Sequence, residues 1–463
     1  MKPISQQRFN ALCYVREPLV RGLKPETEDF TINKEIEWYI DERNVLIATI
    51  FLDKIDEDFN FVILGRDANK VYRCIDTGVS FESIEDARKV LEEKIDKYSE
   101  EGQEEYPQGD ENGAPHYIYK QIVEPEKLHT HFRYLVEEPR FEAARNLIEE
   151  IIYTFTDPDG NFIKDFQTGG FDNRLWEIFL YVYLHESGFS IDRSFNAPDY
   201  VVERFDEVVC IEAVTVNPSR HRKDMPEPQN QEEINERLGD YMPIKFGSPL
   251  YSKLNKKYWE KEHVSGKPLV FAIHDYHQTG SMVWSRTALS EYLYAKRIRL
   301  KTEDNGAKSV VKEDIDFHEY EGKKIPSGFF KLPETENISA VLFTNSATIT
   351  KFNRMGKIAG LGSQNIKMIR AGNLFNPDPE AFDPIPFFVD IDDPSYRETW
   401  SESIVMFHNP YTLYPIDLAL FPDITHIKID GDNYYSVTRP YDVMSSRTII
   451  ITPTDKFEDV DFR

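Results

Sequence analysis

Apolar and polar positions follow two different periods along this chain, and the changes of period divide it into parts. Near the N-terminus "NVLIATIFL" and "FNFVILGRD" are strand-like runs separated by the acidic turn "DKIDED", and "KVYRCIDTGV" follows them. In "SFESIEDARKVLEEKIDKY" the period becomes helical: Ala87, Val90, Leu91 and Ile95 recur on one face, and Ser83 is placed to cap with Asp86 three positions on. A small α+β domain is expected over residues 1–98, with a three-stranded antiparallel sheet and one helix. Residues 99–116, "SEEGQEEYPQGDENGAPH", are acidic and almost without apolar side chains, so a linker or long loop is expected there. From about residue 130 to 300 helix and strand signals alternate, and an α/β domain is expected over residues 117–300. Residues 301–463 begin with the charged segment "KTEDNGAKSVVKEDID" and continue as short strands with proline-bearing turns, a β-rich C-terminal domain. The expected fold is a multidomain α+β / α/β chain, without internal repeats or sustained heptads.

Three acids interrupt otherwise apolar segments. From Leu175 to Leu184 every residue is apolar or aromatic except Glu177, and an all-round apolar helix is normally buried. Asp199 is the only acid between Ser194 and Val202, directly before the strand-like "YVV". In "EVVCIEAVTV" apolar residues stand at consecutive positions on both sides of Glu212, the pattern of a central strand covered on both faces. A buried, ionised carboxylate without a partner costs several kcal/mol or more. These acids must therefore be paired with cations, protonated, or gathered around a metal. Each alone is equally well read as structural: Glu177 turned to an arginine, Asp199 bonding the turn beside Pro198, Glu212 paired with an arginine such as Arg204. As a set, two or three carboxylates beside a backbone carbonyl suit Mg2+, which prefers oxygen ligands.

The order of these segments carries a resemblance. A helix with Glu177, a hairpin ending in Pro198-Asp199, and a strand with Glu212-Ala213-Val214 thirteen residues beyond the Asp together resemble the PD-(D/E)xK superfamily of restriction-endonuclease-like nucleases. The helix "SPLYSKLNKKYWE", the strand "KPLVFAIHDY" and the helix "SMVWSRTALSEYLY" continue that core, so the resemblance covers about residues 145–300. It implies a central restriction-endonuclease-like mixed sheet flanked by helices, hydrolysis of phosphodiester bonds in DNA or RNA, and Mg2+ or Mn2+ held by Asp199, Glu212 and the carbonyl of Ala213. Glu177 would assist directly or through a metal-bound water. The third motif position departs from the pattern, since Val214 stands where the family usually has Lys. Some members place that basic group on the next helix, which makes Lys253 the candidate to orient the attacking water. Leu250, Leu254 and Tyr258 recur on that helix at core-facing spacing, with Lys253 beside the stripe. Lys253 snorkelling at the helix margin is the plainer alternative.

Charge changes this picture in two ways. The chain has 55 basic and 81 acidic residues, a net charge of −26, which opposes nonspecific binding to nucleic acid or to anionic membranes. Yet Lys245 to Lys261 holds five lysines against Glu260 alone, and "AKRIRLK" adds Lys296, Arg297, Arg299 and Lys301. Lys256 and Lys257 are the expected phosphate contacts, although most such runs are solvated helix faces. Tyr251, Tyr258 and Trp259 are placed to stack on bases or to pack on the sheet.

Other motifs are weaker. "GKIAGLGS", with Gly356, Gly360 and Gly362, is neither a Walker loop nor a dinucleotide turn, and a flexible loop is expected. His408-Asn409 before Pro410 reads as a structural turn, and His274, Asp275 and His277 as a loop leaving a strand end. Three cysteines, Cys13, Cys74 and Cys210, in no metal or redox spacing fit a reducing cytoplasm, and "MKPISQQRFN" lacks the apolar core of a signal peptide. No apolar run reaches the ~18 residues of a membrane span. Nucleic acid, DNA first, is the expected partner, with genome defence or repair in a microbe as the setting by analogy. The rival is a catalytically inactive nuclease-fold module that binds nucleic acid or a protein partner, including a second copy. A third reading is a toxin or effector component that needs another subunit.

Overall fold

The structure is a computed structural model and describes residues 1–13, 33–111, 115–158, 160–216, 230–275, 282, 284–302, 308–378, 381, 383–431, 433–439 and 441–453. The N-terminal part is an antiparallel sheet in the order β1 (Lys2–Pro3), β2 (Asn33–Ile40), β3 (Leu46–Asp53), β4 (Asp58–Arg66) and β5 (Tyr72–Phe81), with helices α1 (Gln6–Leu12) and α2 (Ile84–Glu101). Successive strand residues point to opposite faces. Leu46, Ala48, Ile50, Phe61 and Ile63 therefore meet Ala87, Leu91 and Ile95 of α2, while Ile47, Val62 and Leu64 meet Phe9 and Leu12 near the other face. Covering both faces explains why "VLIATIFL" is continuously apolar. The expected sheet of three strands with one helix is extended by β1, β2 and α1. Ser83 caps α2, its Oγ accepting the Asp86 N–H at 3.1 Å.

The acidic stretch after α2 is anchored rather than free. Tyr106 is buried, and its N–H reaches the Arg66 carbonyl at 2.7 Å. Its ring lies against Gly65, where an added Cβ would come within 2.5 Å of Tyr106 Cδ2. The expected linker is thus held to the N-terminal sheet at Tyr106 and again at Asp110, whose Oδ2 accepts Arg73 Nη2 at 3.0 Å.

Helices α3 (Thr130–Glu137), α4 (Glu142–Thr154), α5 (Phe162–Gln167) and α6 (Phe171–Glu186) come next. They lead to β6 (Ser190–Asp192), β7 (Tyr200–Arg204), β8 (Glu207–Val216), α7 (Gln231–Glu236), α8 (Met242–Leu254), β9 (Leu269–Asp275) and α9 (Ser285–Tyr294). Two hairpins follow, β10 (Lys296–Thr302) with β11 (Lys308–Asp314), and β12 (Phe317–Tyr320) with β13 (Lys323–Pro326). The last part holds β14 (Ala340–Thr344), α10 (Ile349–Ile358), β15 (Lys367–Leu374), β16 (Ile385–Asp390), β17 (Val405–His408), β18 (Thr425–Asp430), β19 (Asn433–Val437) and β20 (Val443–Ile451).

One eight-stranded mixed sheet dominates, in the order β19-β18-β17-β14-β9-β8-β7-β6. β6, β7 and β8 form an antiparallel meander, and β9 runs parallel to β8 and to β14. The boundary expected at residue 300 therefore does not separate two folded units, because β14, β17, β18 and β19 continue the sheet begun by β6 to β9. β9 is buried at all seven positions, and such a strand needs ladder partners on both edges. β8 supplies one and β14 the other. Apart from the two hairpins, β15, β16 and β20 form a separate C-terminal sheet among the described residues, in the order β16-β15-β20.

The sheet lies between two helical layers. Val209 and Ile211 of β8 pack with Trp176, Phe179 and Leu180 of α6, whereas Cys210, Val214 and Val216 pack with Phe246 and Leu250 of α8 and Leu289 of α9. Strand alternation thus puts Glu212 on the α8 face. The "GKIAGLGS" segment is not a flexible loop over its described length. Gly356 belongs to α10, and a Cβ there would lie 2.3 Å from the Ala143 carbonyl oxygen, while one on Gly362 would lie 2.7 Å from Ala143 N. These glycines let α10 and its following turn pack directly on α4. No helix among the described residues is long and apolar enough to cross a membrane.

Candidate active site at the Asp199–Glu212 pair

Two of the three acids come together at the end of the β6–β8 meander. β7 pairs with β8 in the register Tyr200 to Ile211, so continuing the ladder sets Asp199 opposite Glu212 and Pro198 opposite Ala213. Proline has no N–H to give, and the regular ladder stops there. Asp199 replaces it with its side chain, its Oδ2 accepting the Ala213 N–H at 2.7 Å. In an extended strand the N–H and C=O of one residue point to the same neighbour. The Ala213 carbonyl therefore faces the side on which Asp199 lies.

Glu212 is buried on the central strand. Its Oε1 accepts hydrogen bonds from Lys253 Nζ and, at 2.5 Å, from the Tyr258 hydroxyl. Its Oε2 is buried with no hydrogen-bond partner among the described residues. An unsatisfied carboxylate oxygen in a protein interior is costly enough to need a reason. Asp199 beside it is half-buried, and its carboxyl is pushed up to about 8, first by burial and then by the charges of Glu212 and Glu177. Two carboxylates that repel one another, with one oxygen orphaned and a backbone carbonyl alongside, form an oxygen-rich donor set. These residues fit a hard divalent cation.

Lys253 reaches this pair from the last turn of α8. The expected helix over "SPLYSKLNKKYWE" ends at Leu254, because Lys257 adopts a left-handed conformation (φ 48°) and turns the chain. Tyr258 is carried back beneath the sheet face by that turn, so the Leu250–Leu254–Tyr258 stripe stays buried although the helix does not continue. Burial and the charge of Glu212 both raise the Tyr258 hydroxyl's pKa, which keeps it a donor.

Glu177 does not join this cluster as a free ligand. Arg174 Nη1 bonds its Oε1 at 2.9 Å, and Arg193 Nη2 its Oε2 at 3.2 Å, on the α6 side of the sheet. Burial raises its pKa and the two guanidinium groups oppose that. Its charge is still felt at Asp199, and its backbone carbonyl accepts the Tyr200 hydroxyl at 2.6 Å. Arg193 also stacks over Phe155 and Tyr200, at 4.0 and 4.6 Å from the ring centroids. Arg204, the arginine considered for Glu212, instead bonds the Leu420 carbonyl at 2.8 Å.

Arg174, Arg193 and Tyr258 carry no distinguishing signal in the sequence; only the hydroxyl of Tyr258, buried in an apolar stripe, asks for a partner. Lys257 bonds Glu334 at 2.5 Å, and Lys256 is exposed. His274 is buried and accepts the Ala347 N–H through Nε2 at 2.9 Å, its pKa pushed down to about 3 by burial. His277 lies outside the described residues. His408 meets His426 at 2.9 Å, and Asn409 bonds the carbonyls of Thr335 and Ile338, both at 2.8 Å.

Comparison of the chain with known protein families, with curated proteins and with solved structures finds no match.

Proposed function

We propose that this chain is a metal-dependent nuclease whose active site is Asp199, Glu212, the Ala213 carbonyl and Lys253. The observation that carries the reading is the orphaned Glu212 Oε2 beside Asp199, with Lys253 arriving from α8. The chain order α6, β6, β7, β8, α7, α8, β9, with an antiparallel meander followed by a parallel strand, supports this reading of the PD-(D/E)xK resemblance.

In this reading Asp199 and Glu212 would hold Mg2+ or Mn2+ together with the Ala213 carbonyl, and a cation there supplies Lewis acidity, lowering the pKa of a bound water and offsetting phosphate charge. The chain's own groups do the rest. Lys253, held at Glu212 Oε1, places its ammonium where it orients the attacking water and favours its hydroxide form. The water oxygen bonds to phosphorus, the bond from phosphorus to one sugar oxygen breaks, and the water's proton is lost while the leaving oxygen gains one. Tyr258 fixes the Glu212 carboxylate, and Glu177, locked by Arg174 and Arg193, fixes the start of β7 through Tyr200. Glu177 is thus a positioning residue; the exposed Lys256 would meet the phosphate backbone, whereas Lys257 is held by Glu334.

A second reading is supported by the same contact. Lys253 and Glu212 already neutralise one another, and the chain's net charge is −26, which suits a nuclease fold that binds a partner without cutting. Incubating DNA and RNA with the protein and Mg2+ or Mn2+, beside Glu212→Gln and Lys253→Met, separates the two. Cleavage by the parent that both substitutions abolish supports the nuclease. Binding without cleavage by parent and variants alike selects the module.

A further inference from the structure

A second cluster of metal-binding groups lies away from the acid pair, where α3 meets the first turn of α6. His129 stands immediately before α3, His131 is the second residue of that helix, and Asp172 follows Phe171 at the start of α6. One ligand atom from each of the three lies within 4.8 Å of the others. His131 Nδ1 is 3.4 Å from Asp172 Oδ1. Two ligands bound at about 2.0–2.1 Å to one ion at tetrahedral angles lie about 3.3–3.4 Å apart, so this pair already has the edge length of a zinc site. His129 Nδ1 is buried without a hydrogen-bond partner among the described residues.

The surroundings hold these groups in place. The His129 ring stacks on Phe171 with centroids 5.3 Å apart and 14° between planes, and His131 meets the same ring edge-on at 6.0 Å. The His129 N–H bonds the Gln167 carbonyl at 2.9 Å, and the Gln167 side chain bonds the carbonyls of Ile118 and Lys120 at 3.1 and 2.9 Å. Ligands on two helix starts, braced by a shared aromatic ring, need little rearrangement to close on an ion.

We propose that His129, His131 and Asp172 bind a divalent transition-metal ion of the zinc class. Two imidazoles and one carboxylate suit such an ion, whereas the all-oxygen set at Asp199 and Glu212 suits Mg2+. The site has three protein ligands, and the His131 side chain is 53% exposed, so the fourth position opens to solvent. The bound ion pins α3 to the start of α6, the helix that carries Arg174 and Glu177. This inference is independent of the nuclease reading.

The test is calorimetric titration of the chelator-stripped full chain with Zn2+, repeated with Co2+ and read by its ligand-field absorption. One Zn2+ per chain is expected at micromolar or tighter affinity, with an intense tetrahedral Co2+ spectrum. His131→Ala, at an exposed position, and Asp172→Asn should each weaken Zn2+ at least about tenfold, while Glu92→Gln, an exposed acid on α2, leaves it unchanged. Circular dichroism of each variant checks that the fold is kept. The proposal is overturned if the parent takes up no Zn2+, if His131→Ala and Asp172→Asn bind like the parent, or if Glu212→Gln alone removes the binding. In any of those cases His131 and Asp172 are an ion pair only.

Discussion

The Tyr258 hydroxyl donates to Glu212 Oε1 at 2.5 Å, from a residue that lies beyond the end of its own helix. The left-handed Lys257 makes this possible, since a straight continuation of α8 would carry residue 258 along the helix axis instead of returning it to the sheet. The buried carboxylate is thereby held by two donors on one oxygen while the other oxygen stays open.

Removing that hydroxyl should loosen the acid without emptying the core. Tyr258→Phe keeps the ring and deletes one donor to a buried charge, so it should cost about 1–3 kcal/mol of stability. A shift of the urea midpoint at unchanged slope measures it. A variant as stable as the parent would mean that Lys253 alone satisfies Glu212.

Glu177 and its arginines should behave as a buried ion network. Arg193→Met leaves Glu177 with Arg174 only and should cost about 3 kcal/mol or more, because it strands part of a buried charge. Combining it with Glu177→Gln should recover much of that loss, so a double-mutant cycle should give a coupling above about 1 kcal/mol. Additive effects would argue against the pairing.

Asp199 makes a pH prediction whose sign follows from the direction of its shift. The folded carboxyl is raised to about 8 against an ordinary value near 4, so between those values the folded state holds a proton that the unfolded chain has released. In metal-free protein this contribution weakens stability as pH rises from about 4 to about 8. Asp199→Asn cannot ionise and should flatten the profile, ending more stable than the parent at pH 8 by about 1–3 kcal/mol. Cation affinity should run the other way, rising with pH to about 8 as the competing proton leaves. Parallel stability profiles for parent and variant would refute this account of Asp199.

The close contact of α10 with α4 is testable at its glycines. Gly356→Ala places a methyl group 2.3 Å from the Ala143 carbonyl oxygen, and backbone cannot move aside cheaply. A loss of at least about 2 kcal/mol is expected by thermal or urea unfolding. Gly431→Ala, where no atom lies within 4 Å, bears only the strain of its positive φ (58°) and should lose less.

The segment from α6 to β9 is legible in the sequence because its signals are local. A lone Glu in an apolar helix, Pro-Asp before a strand and an acid amid consecutive apolar residues are all patterns within a dozen positions. The partners of those acids are not local. Arg193 sits in "IDRSFN", with no period to mark it, and Tyr258 looks like one more core aromatic until the Lys257 turn is known. The sheet's far half was hidden for the same reason. β14 pairs with β9 across some 65 residues, and nothing in "SAVLFTNS" tells which strand it will join. The glycines after residue 355 read as a loop in the sequence because a glycine needed for close helix packing looks the same there as one that frees a turn.

Anomalous diffraction from crystals soaked in Mn2+ at pH 8 or above tests the central claim most directly. One peak bridging the Asp199 carboxylate, Glu212 Oε2 and the Ala213 carbonyl, and lost in Glu212→Gln, is the predicted result. No peak there at saturating Mn2+, with Glu212 Oε2 still empty-handed, would contradict it.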